Sequence, residues 1–366
     1  MITILAYIVA GFLLLRFFVV IINALSPLHL PERKAVTDDT PLVSVLIPAR
    51  DEEEHIEKVI RDIYRLTYRN LEVIVYDDQS QDLTPTIVER LKKEYPPLRL
   101  LEGKPLPKGW LGKNHACHNL ATEAKGSYLL FLDADVSVSG DLIEQLMAYC
   151  RRHRLQLLSL FPKQIMRNIS GFLTIPMMNW ILLSLLPMIL IRKSRWESFS
   201  AANGQCMFFE TDSYKKHNWH KIVKQRKAED IAILRMMKRY GYKTATLLGD
   251  KRMTCVMYNT LQTGIEGFSK NIQAFFGNSI VWMFVFILLS QAGVIVLLIA
   301  SWHWSLITGF LGIGLLIHVI VTIKSKQPLL MNMLLLLPRQ VVFLFIAYKS
   351  VFYSITKKGI WKGRPI

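Results

Sequence analysis

Cysteine is scarce in this chain, and acidic residues are outnumbered. Only four cysteines occur in 366 residues. Cys117, Cys150, Cys206 and Cys255 are widely scattered and form no CxxC pair, which argues against a disulfide scaffold or a zinc module and reads as reduced, cytosolic thiols. The first apolar run lacks a basic n-region and a small-residue cleavage pattern, so it is expected as an uncleaved anchor and not as a secretory signal. Nor does any recognised nucleic-acid motif accompany the 45 Lys and Arg against 28 Asp and Glu. A net charge of +17 therefore points to an anionic membrane surface and anionic substrates, with no nucleic acid as partner.

Apolar residues are plentiful. They make up 51% of the chain at a mean hydropathy of +0.27, high for a water-soluble enzyme and low for a protein wholly inside lipid. Three windows, Ile2 to Ile22, Asn278 to Ile299 and Leu306 to Ile323, are each long enough as helix for about 30 Å of hydrocarbon. Arg33-Lys34, Lys270, Lys324 and Lys326 put the region between the first two windows in the cytoplasm, with Trp302 and Trp304 at the opposite interface. Leu329 to Val351 is apolar but broken by Pro338-Arg339. A straight span there would export the basic tail Lys357 to Arg364, so a pair of half-helices hinged at Pro338 is expected.

Between about Leu42 and Ser269 the pattern changes. Val43 to Ile47, Leu71 to Tyr76, Leu98 to Leu101 and Ser127 to Leu132 read as strands, with amphipathic helices over Glu53 to Leu66 and Thr84 to Tyr95. Such alternation implies parallel βαβ units, whose ligands gather beyond the carboxyl ends of the strands. Those ends carry Pro48-Ala49-Arg50-Asp51-Glu52, Asp77-Asp78-Gln79-Ser80 and Asp133-Ala134-Asp135.

Two carboxylates one residue apart at a strand end suit Mg²⁺ or Mn²⁺ with phosphates. The same stretch also reads as a strand-terminal turn capped by Asp135, or as a phosphatase nucleophile strand with Asp133 attacking. Asp77 and Asp78 suit a nucleobase or ribose, and equally an Asx turn. Lys113, at the helix start in "GWLGKNHA", suits a diphosphate, whereas His115 and His118 read as packing residues. Asp230 in "KAEDIAILRMM" is either a helix-dipole partner or a general base.

Taken in order, "VSVLIPARDEEEHI", "VIVYDDQS", "GWLGKNHA", "FLDADVSV", "GQCMFFE" and "KAEDIAILRMMKRYGYK" resemble the family 2 glycosyltransferases. The likeness implies a GT-A fold, that is, an α/β, Rossmann-like domain with a mostly parallel sheet. It also implies a UDP-sugar donor and a divalent metal. Pro48, Ala49, Glu52, Asp77 and Asp78 would hold the nucleoside, Lys113 the phosphates, Asp133 and Asp135 the metal and diphosphate, and Asp230 would be the base of an inverting transfer. The anchor, "GWLGKNHACHNLA" and "GIEGFSKNIQAFFGN" narrow the likeness to membrane enzymes similar to those that glycosylate carotenoids, with hopanoid-associated relatives close behind. That subgroup implies a membrane lipid acceptor.

The expected layout is an N-terminal anchor at 1–25, a GT-A domain at 40–277 facing the cytoplasm, C-terminal membrane helices at 278–355 and a basic tail at 356–366. A stretch at 171–191 approaches spanning length. Crossing there would part Asp133 from Asp230, so it is expected to lie in the interface, or else as a core helix under the sheet. Processive polysaccharide synthases carry a Q/R-x-x-R-W element after the base. Arg192 to Trp196 matches it but precedes Asp230, which favours single-sugar transfer. A silent membrane scaffold is disfavoured because Asp133, Asp135, Lys113 and Asp230 are all present.

Overall fold

A computed structural model describes residues 1–32, 39–258, 260–300, 303–356, 360–361 and 364–365. Arg33, Lys34, Trp302 and the tail residues Lys357, Lys358, Gly359, Lys362 and Gly363, which bear on the orientation expected above, lie outside these residues.

Strands β1 (Val43–Ala49), β2 (Leu71–Asp77), β3 (Leu98–Glu102), β4 (Tyr128–Leu132), β5 (Val136–Val138), β6 (Leu157–Phe161), β7 (Lys163–Gln164), β8 (Cys206–Glu210), β9 (Thr244–Leu248) and β10 (Met253–Cys255) form two sheets. The larger has the order β3-β2-β1-β4-β8-β6-β9, and the smaller β5-β10-β7. The four strands expected between Val43 and Leu132 are all present.

Only β8 runs against its neighbours in the larger sheet. All the parallel strands therefore end at one edge, where Ala49 lies opposite Asp77 and Asp77 opposite Glu102. Because β8 is reversed, Cys206 at its start lies opposite Leu132. The chain just before it, Gly204-Gln205, is thereby delivered to the same edge as Asp133.

Helices α1 (Ile2–Leu25), α2 (Ile56–Tyr64), α3 (Thr84–Glu94), α4 (Gly112–Glu123) and α5 (Leu142–His153) come first. Then follow α6 (Ile169–Thr174), α7 (Pro176–Leu185), α8 (Ile189–Lys193), α9 (Thr211–His217), α10 (Trp219–Ile222) and α11 (Glu229–Arg239). Strand β1 is buried on both faces. Val43, Val45 and Ile47 meet Ile56, Ile60 and Ile63 of α2 and the apolar side of α5. Leu46 faces the other way, into a core shared with α4, α10 and α11.

That second core does not stop at the α/β domain. It runs on through Trp180, Ile181 and Leu183 of α7 into Leu13 and Val20 of α1 and into the C-terminal helices. These are α12 (Leu261–Asn271), α13 (Ile280–Gln291), α14 (Gly293–Ile299), α15 (Trp304–Lys324), α16 (Leu329–Leu334) and α17 (Leu336–Thr356). By length and composition α1, α15 and Leu336–Ile355 of α17 suffice to cross a membrane, while Leu261–Phe276 and Ile280–Gln291 qualify only as a pair bent by 97°.

Three expectations change here. The 278–299 window divides into α13 and α14 at Ala292. The break expected at Pro338 falls at Leu335 instead, since Pro338 sits in the first turn of α17, where a missing N–H costs nothing. Finally, the 171–191 stretch is three short helices. Its middle one, α7, is buried against α1: Asn23 Nδ2 donates to Leu183 O and Leu186 O, both at 2.8 Å, and Met188 N donates to Asn23 Oδ1 at 2.8 Å.

Candidate active site

The loops after β1 and β2 are laced together. Asp78 N donates to Ala49 O at 2.8 Å, Asp51 N to Ser80 Oγ at 2.9 Å, Gln81 N to Asp51 Oδ1 at 2.8 Å and Glu52 N to Thr84 Oγ1 at 2.8 Å. Asp51 and Gln79 both adopt left-handed backbone, φ 51° and 59°. Non-glycine residues hold this conformation at a cost, and such residues cluster at functional sites.

Asp77 makes the turn: Ser80 N donates to its Oδ2 at 3.3 Å. Asp78 is the more deeply buried of the two. Pro48 and Ala49 form the end of β1, with Ala49 buried and Pro48 partly so. Glu52 lines a cleft of 310 Å³ together with Asp51, Glu54, His55, Asp135, Val256 and Met257. The loop after β1 and the second aspartate of "DAD" thus share one opening.

Deeper in, charges converge. Lys113 Nζ lies 2.8 Å from Asp133 Oδ1 and 3.3 Å from Glu229 Oε1. Burial acts to lower the Lys113 pKa, but the Asp133 and Glu229 charges outweigh it and hold it well above its usual value. Burial pushes Asp133 up to about 6 against the pull of Lys113. Burial, then the Glu229 charge, pushes Asp230 up to about 7, against hydrogen bonds from the backbone. Those bonds come from Gly204 N to Oδ2 at 2.9 Å and from Ile231 N to Oδ1 at 2.7 Å.

Gly204 leaves room for the ion pair. A Cβ there would come within 3.0 Å of both Glu229 Oε1 and Lys113 Nζ. Asn114, almost wholly buried, donates through Nδ2 to Val223 O at 3.0 Å and Arg226 O at 3.1 Å. It fastens the start of α4, and so Lys113, to the segment that leads into Glu229 and Asp230. His115 and His118 pack against Trp110, with ring centroids 5.4 Å away in each case, as packing residues would.

Asp135 differs from Asp133. Its two oxygens accept from Gln205 Nε2, each at 3.1 Å, and the Cys255 thiol lies 3.7 Å from Oδ2. Among the described residues no basic side chain lies within 4 Å of it. A carboxylate that faces a cleft with neutral partners alone, one residue from a second buried carboxylate, is a donor set that fits a hard divalent cation. Among the described residues no three His, Cys, Asp or Glu side chains group to hold a metal by themselves. Such an ion would draw its remaining ligands from phosphate and water, as Mg²⁺ commonly does.

The structure therefore brings Lys113, Asp133, Asp135 and Asp230 together at one edge, with Glu52 and Asp78 in the adjoining loops. Pro48, Ala49 and Asp77 contribute backbone and turn. Sequence reading did not single out Gly204, Gln205, Glu229, Asn114 or Cys255. The signals for Gln205 and Glu229 were their places in "GQCMFFE" and beside Asp230.

Residues 44–217 match the family model described as glycosyl transferase family 2. Over 288 residues, 78% of this chain and 72% of the relative, the sequence is 26% identical to the 4,4'-diaponeurosporenoate glycosyltransferase of Staphylococcus haemolyticus. Over 124 residues it is 32% identical to the beta-monoglucosyldiacylglycerol synthase of Trichormus variabilis, covering 33% of this chain but only 26% of that protein. Among solved structures, a mannosyltransferase from Pyrobaculum calidifontis in complex with GDP-Man and Mn²⁺ aligns with a TM-score of 0.60 over 98% of this chain and 100% of that one. At 16% identity that likeness speaks to the fold.

Proposed function

This chain carries a family 2 glycosyltransferase domain on a GT-A fold, and from that premise we propose that it transfers a hexose, glucose foremost, from a UDP-sugar to a hydroxyl or carboxyl group of a membrane lipid such as a carotenoid or other isoprenoid, with inversion. The observation that carries the reading is the convergence of Lys113, Asp133, Asp135 and Asp230 on one sheet edge, beside a cleft lined by Asp135 and by the loop after β1.

Each side chain has a task in this reading. Asp78 and Glu52, with the backbone of Pro48 and Ala49 and the Asp77 turn, hold the nucleoside. Asp133 and Asp135 would hold Mg²⁺ or Mn²⁺, which when bound supplies charge neutralisation for the leaving diphosphate. Lys113 adds a second positive charge there. Asp230 takes the proton from the acceptor as it attacks the anomeric carbon from the side opposite the diphosphate. A carboxyl group poised at about 7 suits that work near neutral pH.

The lipid acceptor is supported by the apolar helices and by the activities of the similar proteins from Staphylococcus haemolyticus and Trichormus variabilis. We further read the chain as multi-pass in the cell membrane, with the domain on the cytoplasmic side. Lys324 Nζ donates to Ala24 O at 2.9 Å and Ser26 O at 2.7 Å, and Leu248 N of β9 to Leu28 O at 2.7 Å. The basic end of α15 thus lies on the same side as the catalytic sheet, as the positive-inside bias requires. Exposed Lys193, Arg195 and Trp196 suit an anionic membrane surface.

The test is to incubate membranes with labelled UDP-glucose and other sugar nucleotides and to identify labelled lipid by mass. A labelled lipid that requires divalent metal, and that disappears with Asp135→Ala, is expected. Label recovered only in a polymer would favour a processive synthase, and full activity in Asp135→Ala would sink the metal assignment.

A further inference from the structure

Away from the catalytic edge, a cavity of 340 Å³ lies among the apolar helices, lined in part by Arg16, Trp180, Gln291, Gly314, His318 and Gln340. Arg16 is 3% exposed, in the middle of α1. Its Nε and Nη2 donate to Ser184 Oγ at 3.1 and 2.8 Å, and its guanidinium lies 4.4 Å from the Trp180 ring and 5.1 Å from that of Phe286. Among the described residues no carboxylate lies within 4 Å of it.

A guanidinium keeps its charge in proteins and carries five donors. One serine hydroxyl and three rings, Phe12 being the third at 5.7 Å, leave that charge without a counter-ion in surroundings where an unpaired ion is costly. The cavity wall supplies more polarity than packing needs. Gln291 Nε2 donates to Gln340 Oε1 at 2.6 Å, and His318 stacks on Trp180 at 5.1 Å. Gly314 leaves room, since a Cβ built there meets nothing within 4 Å.

Depth selects the anion. Arg16 stands ten residues before Ser26, the end of α1, or about 15 Å along the helix, near the middle of a hydrocarbon layer about 30 Å thick. Phosphate headgroups of bilayer lipids lie at the surface. A single chain ending in a small acid can reach this level, and 340 Å³ is at the small end of ligand pockets, about 300–1,000 Å³. We infer that the cavity binds the carboxylate end of a single-chain lipid, with Arg16 as its counter-charge. The site rests on the proposed membrane setting, in which α1 spans the bilayer, and does not rest on the transfer reading.

The test uses the full chain in nanodiscs of neutral phospholipid and measures binding of palmitate, farnesoic acid and methyl palmitate. One or both acids should bind at least tenfold more tightly than the ester. The tighter acid tells a fatty acid from an acidic isoprenoid as the source. Arg16→Gln should weaken acid binding at least tenfold. Gly314→Leu should fill the cavity and block it, with UDP binding retained as the check on folding, so the proposal is decided even if the arginine variant fails to fold. Equal binding of acid and ester, undiminished binding in a folded Arg16→Gln protein, or undiminished binding in Gly314→Leu would overturn it.

Discussion

Asp230 carries two consequences at the scale of a single side chain. In its proposed role as base it must be ionised, so turnover should rise about tenfold per pH unit on the acid side and level off above about 7. Asp230→Asn should bind donor normally while losing about 10²–10⁴-fold in kcat, read by donor titration beside a transfer assay. The same raised pKa opposes stability: a carboxyl group whose folded value lies above its unfolded one stabilises the fold at low pH and loses that contribution as pH climbs through about 7. In metal-free protein, Asp230→Asn should therefore melt at least about 2 °C higher than wild type at pH 8, and the gap should narrow through pH 5 and close near the unfolded carboxyl value of about 4. Gln205 is the other residue of interest, because it alone orients both oxygens of Asp135. Gln205→Leu should weaken Mn²⁺ binding about tenfold or more in calorimetry.

At the scale of elements, Asn114 joins α4 to the lead-in of α11. Asn114→Ala removes the donor of Arg226 O and one of two donors to Val223 O, which keeps Arg226 N, and should cost about 1–3 kcal/mol of stability, read by denaturant titration, along with a fall in kcat as Lys113 and Asp230 drift apart. The parallel half of the sheet was legible in the sequence because Val43 to Ile47 and Leu71 to Tyr76 are apolar runs closed by polar clusters, and parallel pairing aligns those clusters. The reversal of β8 was not legible. "CMFFE" is buried throughout its apolar length, and a strand covered on both faces has no alternation to betray its direction. Gln205 was hidden with it, since only the reversal sets its amide beside Asp135. Glu229 was hidden for another reason, because an acid at a helix start is ordinarily a dipole partner.

At the scale of the molecule, the catalytic sheet and the apolar helices share one core, so the domain is not a soluble head on a tether. Residues 40–277 expressed alone would bare Trp180, Ile181 and Leu183, which α1 and α15 now help to cover. That fragment should elute in size exclusion as aggregate or require detergent, whereas the full chain in nanodiscs should remain monodisperse. The 171–191 stretch left two readings open because an interfacial helix and a buried core helix have the same composition; α7 is buried, against α1 and α15. The link between anchor and domain is also stiff. Besides Asn23, Arg252 of the catalytic domain donates to Pro31 O at 2.9 Å and Leu30 O at 3.1 Å, clasping the chain just after it leaves α1. A domain clasped at that point works as a ruler. On the proposed membrane and lipid-acceptor reading, its opening would stand at a set height over the bilayer, and acceptors would be sorted by how far their reactive group rises from the lipid surface, before any contact with their tails.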